Sequence, residues 1–153
     1  MAKTTTNPLT QSISTFGTII LPAQAVQAVD AVGVVTNTVL LYTAGAEGAI
    51  IKSLLIASND TAAKYVSIWI QPGGTGGIYL LGQVAVPITS GFSATGVVAN
   101  VDVLNNQYLL GLPMDQSGRQ VLPVSAGTKL YAGVAAAPNA TKTLHITGIA
   151  EEF

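Results

Sequence analysis

The chain has 153 residues, 49% of them hydrophobic, but carries only six Lys plus Arg and seven Asp plus Glu, for 8% charged and a net charge of -1, where ordinary soluble domains are about 25% charged. It has no basic block to neutralise a row of phosphates, so no direct nucleic-acid partner is expected, and it has no cysteine, which excludes disulfides, thiolate metal sites and cysteine nucleophiles. No apolar run approaches the roughly 18 residues that a membrane-spanning helix needs, and a surface this poor in charge favours association, most simply because other protein normally covers much of it.

Residues 1–15 are rich in Thr, Ser, Asn and Gln around Pro8, a composition that suits an extended N-terminal arm. Lys3, the apolar run 16–21 and the small residues Ala23 and Ala25 mimic parts of a secretory signal. That run is short, starts late and meets Pro22, so it reads better as the arm entering a first strand. From residue 16 the texture changes to short runs heavy in Val, Ile, Thr and Tyr, separated by Gly, Pro, Asn and Asp. These predict strands over 17–21, 37–43, 49–58, 65–71, 78–86, 92–99, 120–124, 129–136 and 143–150. The last two alternate cleanly: Leu130, Ala132, Val134 and Ala136 oppose Lys129, Tyr131, Gly133 and Ala135, and Leu144, Ile146, Gly148 and Ala150 oppose Thr143, His145, Thr147 and Ile149.

Residues 23–31 suit at most a short turn. Residues 101–110 predict one short helix, with Asp102 as a cap, Val103, Gln107 and Leu110 near one face, and Gly111 and Pro113 as a stop. Strands at this spacing make the fold class all-β: an antiparallel β-sandwich or jelly roll of about eight strands, one domain over 16–153 with the arm at 1–15.

Convergent reactive groups are scarce. The single histidine, His145, lies on an alternating strand with no sequence-local acidic partner, so nothing proposes it as a general base. Carboxylates are scattered apart from Glu151 and Glu152, and no metal or cofactor is expected. Asp102 and Asp115 suit a cap and a turn better than a glycosidase pair. The glycine-rich run 72–77 lacks the lysine of a phosphate loop and reads as a hairpin tip. Tyr65, Trp69 and Tyr79 fall on two adjacent predicted strands. Because Tyr65, Ser67, Trp69 and Gln71 share a face, they suggest a semi-exposed aromatic strip, used as an interface anchor or, alternatively, as a platform for sugars. Charge gathers at turns and ends, as at Asp60, Lys64, Asp115 and Arg119, with Lys52, Lys129 and Lys142 expected at wet strand positions.

The run Val39-Leu40-Leu41-Tyr42-Thr43-Ala44-Gly45-Ala46-Glu47-Gly48, then Ala57-Ser58-Asn59-Asp60-Thr61-Ala62-Ala63, then Leu80-Leu81-Gly82 and Pro87, resembles small structural proteins of tailed-bacteriophage virions. The likeness continues through Val101-Asp102-Val103-Leu104, Gly111-Leu112-Pro113-Met114-Asp115-Gln116-Ser117-Gly118 and Ala126-Gly127-Thr128 to the acidic-aromatic end Glu151-Glu152-Phe153. It covers roughly residues 37–153, misses the arm, and is to capsid decoration, or cement, proteins with sandwich or jelly-roll folds.

The resemblance implies a non-enzymatic role with the major capsid protein as partner. It also implies self-association as a dimer or trimer and a place on the capsid surface of a virion made in the host cytoplasm. The expected interface residues are Thr4, Thr5, Asn7, Pro8 and Leu9 of the arm with Tyr65, Trp69 and Tyr79. A tail or baseplate structural protein and a carbohydrate-binding sandwich are the alternatives.

Overall fold

The computed structural model describes residues 12–30, 34–92, 99–106 and 111–153. Over these the strands are β1 (Ser12–Ile20), β2 (Ala28–Val29), β3 (Val35–Thr36), β4 (Val39–Thr43), β5 (Ala49–Ser58), β6 (Lys64–Gln71), β7 (Tyr79–Val86), β8 (Val101–Asp102), β9 (Leu122–Val124), β10 (Lys129–Val134) and β11 (Leu144–Glu152). The one helical turn among the described residues is the 3-10 turn Pro72–Gly74.

Two antiparallel sheets form the body. The first runs β1, β11, β5, and the far edge of β5 is shared by β8 and β9; the second runs β4, β10, β6, β7; β2 and β3 make a separate ribbon. The period-two pattern turns one side of each sheet inward. Leu144, Ile146 and Ala150 of β11 and Leu54 and Ile56 of β5 meet Val66 and Ile68 of β6, Val84 and Val86 of β7, and Leu130, Ala132 and Val134 of β10, all buried in one core. Each fully buried Leu, Ile or Val contributes about 1.5–3 kcal/mol, which is how a chain without disulfides holds together.

Three bulges adjust the sheets. The registers skip Lys52 in β5, Leu81 in β7 and Leu41 in β4, so Lys52 and Ser53 both leave the inward alternation, and Leu41 and Tyr42 are both buried. At the centre of the β1 and β11 pair Phe16 lies opposite Gly148. A side chain at residue 148 would collide with the Phe16 ring, which instead reaches Tyr42 at a centroid distance of 4.8 Å. Glycine lets the aromatic ring pack across its partner strand.

Several boundaries differ from the sequence expectation. The first strand begins at Ser12, so residues 12–15, assigned to the arm on composition, pair with β11 from Glu152 to Ile149. The expected helix at 101–110 is not formed over its described part. Val101 and Asp102 pair with Ile56 and Leu55, the Val103 N–H donates to Leu54 O at 2.8 Å, and a turn follows. Val103 and Leu104 are both fully buried, and strand addition to β5 satisfies that demand where a helix face would expose one of them. Asp102 still caps, its carboxylate accepting the Asn105 N–H at 3.2 Å. The strand expected over 92–99 lies mostly outside the described residues; Phe92 closes a turn, its N–H donating to Thr89 O at 3.0 Å.

Candidate interaction surfaces

The outer side of the first sheet is assembled from the outward half of three strands. Register brings Thr15, Ile149 and Ser53 into one row, Gly17, Thr147 and Leu55 into the next, and Ile19, His145 and Ala57 into a third. Thr15, Gly17, Ser53, Leu55, Thr147 and Ile149 line a groove of about 500 Å³. Gly17 keeps it open, because a Cβ there would stand 2.8 Å from the Ile146 carbonyl oxygen. Ile13 and Ile19, at 71% and 50% exposure, flank it on β1.

No residue of those three rows is charged. Charges appear only around them and are paired: Lys52 lies 3.5 Å from Glu151 and 3.8 Å from Asp115, and Arg119 lies 3.7 Å from Asp102. Asp115 is held below the usual carboxylate range, first by the Arg119 N–H, then by the Ser117 N–H and the nearby Lys52 and Arg119 charges, against a smaller desolvation. Asp102 and Asp115 thus serve a turn each, Asp102 beside Arg119 and Asp115 beside Lys52. His145 Nε2 shares a hydrogen bond of 3.0 Å with Thr143 Oγ1, and its ring sits 5.2 Å from Phe92. Lys52, expected wet, is half-buried by its two partners; Lys129 and Lys142 are half-buried as well.

Of the expected aromatic residues the outer side of the second sheet carries Tyr65 and Trp69, while Tyr79 falls in the row of the core-facing Ile70, so they do not form a strip. Leu40, Tyr131, Trp69 and Leu80 form one register row across all four strands. The segment after β1 crosses this row. Gln27 N–H donates to Val134 O at 3.0 Å, its Nε2 donates to Ser67 Oγ at 2.8 Å, and its Oε1 accepts the Trp69 indole N–H at 3.1 Å. Gln27 occupies the space over Gly133 that a Cβ would need. Trp69 is left only 7% exposed, so the anticipated semi-exposed strip loses its centre. The cause is a covering segment far away in sequence, which strand alternation does not report. Tyr65 and Tyr79 remain 55% and 60% exposed, and Tyr79 lies opposite Ile70 rather than Trp69. The arm positions Thr4, Thr5, Asn7, Pro8 and Leu9 lie outside the described residues.

One polar cluster went unread. Asp60 and Lys64 are buried together with Nζ and Oδ2 3.5 Å apart. Asp60 also accepts the N–H groups of Ala62 at 3.0 Å and Asn139 at 2.8 Å, and Lys64 donates to Ala137 O at 2.8 Å. Burial pushes the Asp60 carboxyl upward, but the Asn139 and Ala62 donors and the Lys64 charge together outweigh it and hold the pKa below its ordinary value. The carboxylate and the ammonium are engaged with each other and with loop backbone, which makes the pair a fastening. Likewise Tyr42, raised by burial and by its 2.9 Å hydrogen bond to Glu152, ties β4 to the end of β11. Among the described residues no group of three or more His, Cys, Asp or Glu is placed to hold a metal ion.

No family model matches the chain, and neither the curated proteins nor the solved structures contain a significant match to it.

Proposed function

We propose that this chain is a non-enzymatic virion structural protein that decorates and stabilises a bacteriophage capsid by binding across neighbouring major capsid subunits. The observation that carries the reading is the outer side of β1, β11 and β5, whose three central rows are uncharged and hold a 500 Å³ groove framed by exposed Ile13, Ile19 and Ile149, while the surrounding charges, Glu151 opposite Ile13 among them, are already paired. Covering such a face desolvates no unpaired ion, so little opposes the gain from apolar burial. Exposed apolar patches of this kind mark interaction sites. The capsid as partner comes from the resemblance of residues 37–153 to decoration proteins. The carbohydrate alternative is weakened because the ring best suited to stack a sugar, Trp69, lies under Gln27.

Attachment to emptied heads of the phage, read by co-sedimentation, tests this reading. The unaltered chain should saturate the shell at a fixed stoichiometry and raise the temperature at which heads open. Thr147→Lys, which sets a charge in the middle of the face, should weaken attachment at least tenfold with unchanged melting of the free chain. Absence of attachment refutes the capsid reading, and attachment indifferent to Thr147→Lys refutes this face as the contact.

A further inference from the structure

His145 is the only histidine of the chain, and the fold sets it inside the uncharged rows of the first sheet. On β11 it stands between Ile19 of β1 and Ala57 of β5, with Thr143 and Thr147 two residues away on the same side of the strand. Its ring lies 5.2 Å from that of Phe92, and Nε2 shares the 3.0 Å hydrogen bond with Thr143 Oγ1. Ile19 and Phe92, at 50% and 48% exposure, place the half-buried imidazole within an apolar surface.

These surroundings offer no counter-ion to an imidazolium. From β1 the ring is faced by Gly17 and Ile19, from β5 by Leu55 and Ala57, along β11 by Thr143 and Thr147, and from the loop after β7 by Phe92, none of them titratable. Residues 93–98, which follow Phe92, contain no titratable side chain either. Lys142, the charge closest along the chain, has the same sign as an imidazolium. Glu151 and Asp115 are engaged with Lys52, and Asp102 with Arg119.

We propose that His145 gates this face by pH: with a neutral imidazole the face is covered readily, and an imidazolium opposes covering. The inference rests on the reading above, in which the face is buried against capsid subunits, and adds how that contact is regulated. Histidine is the side chain that ordinarily changes charge between about pH 5 and 8. In the free chain a charge on the half-buried ring keeps part of its hydration. Beneath a partner that matches uncharged rows the same charge loses that hydration and gains no counter-ion, so the proton is bound less readily in the attached state. Linkage then sets the sign. A contact that excludes one proton is at full strength when the imidazole is neutral and weakens as the pH falls, by at most about tenfold per pH unit. Asp60 and Asp115, both held below the ordinary carboxylate range, stay ionised through this interval and leave the change to the histidine.

The test compares the full chain with His145→Gln, which stays polar and uncharged, and His145→Lys, which fixes a positive charge. Attachment to emptied heads is measured by co-sedimentation at about pH 7.5 and about pH 5.5, with melting of each free chain at both values as the folding control. The unaltered chain should attach roughly fivefold or more weakly at the lower pH, and His145→Gln should attach equally at both. His145→Lys should be weak already at the higher pH, by a similar factor. Equal attachment of the unaltered chain at both values, or an equal loss in His145→Gln, overturns the gate. Retention on a phenyl-substituted resin at the same two values reads the face without any shell. The unaltered chain should elute earlier at the lower pH while His145→Gln does not move, and a shift common to both, or absent from both, overturns the gate as well. A chain that attaches to heads at neither pH sinks the capsid reading alone, and the resin then decides the gate.

Discussion

Asp60 sits where two loops meet, and its carboxylate fastens one to the other. It takes the Asn139 N–H from one loop and the Ala62 N–H from its own, beside a buried Lys64 that holds the Ala137 carbonyl. Asp60→Ala leaves a buried ammonium without its partner and should cost about 3–5 kcal/mol in urea denaturation. Asp60→Asn with Lys64→Met removes both charges and should cost clearly less than that single change, a comparison that isolates the uncompensated charge. The pH dependence follows from the lowered native pKa. A depressed carboxyl contributes its stability in full at neutral pH and loses it as the pH falls below the ordinary 3.8 and through the native value. The melting temperature of the unaltered chain should therefore fall steeply below about pH 4, and that of the double variant should fall less. In the sequence these two residues read as turn punctuation, because a contact with residue 139 has no local signature.

At the scale of elements, the strands were the most legible part of this chain and their covers the least. Alternation in residues 129–136 and 143–150 names the inward residues of β10 and β11 directly, and the turn residues between runs mark most of the boundaries. Residues 101–110 misled because Asp102 caps a turn as readily as a helix; the pair Val103 and Leu104, both buried, is the feature that separates the two. Ser12 and Ser14 look like arm in the sequence, yet a polar residue costs little on an edge strand near the exposed end of β11, and the first strand includes both. The segment between β1 and β2 was invisible as a cover for Trp69. Its effect is measurable, since the chain has one tryptophan. Gln27→Ala should shift the Trp69 emission to longer wavelength, increase its quenching by acrylamide, and cost about 1–2 kcal/mol for the lost hydrogen bonds. Unchanged quenching would show that Gln27 does not form the cover.

For the molecule as a whole, the shortage of charge is organised by the fold rather than spread evenly. Two of the few charges are buried against each other, five more (Lys52, Arg119, Asp102, Asp115 and Glu151) are spent in surface pairs, and the three outward rows through Thr15, Gly17 and Ile19 are left with none. Composition alone raised the idea of a covered surface. The sheet registers identify which surface is the candidate. The proposed place of that face is against a phage shell, and an image of assembled heads with and without the chain, at a resolution that separates capsid subunits, tests it most directly. Added density on the outer surface across the junctions of neighbouring major capsid subunits is the predicted result. Density confined to the tail or baseplate, or no difference between the two particles, would contradict it.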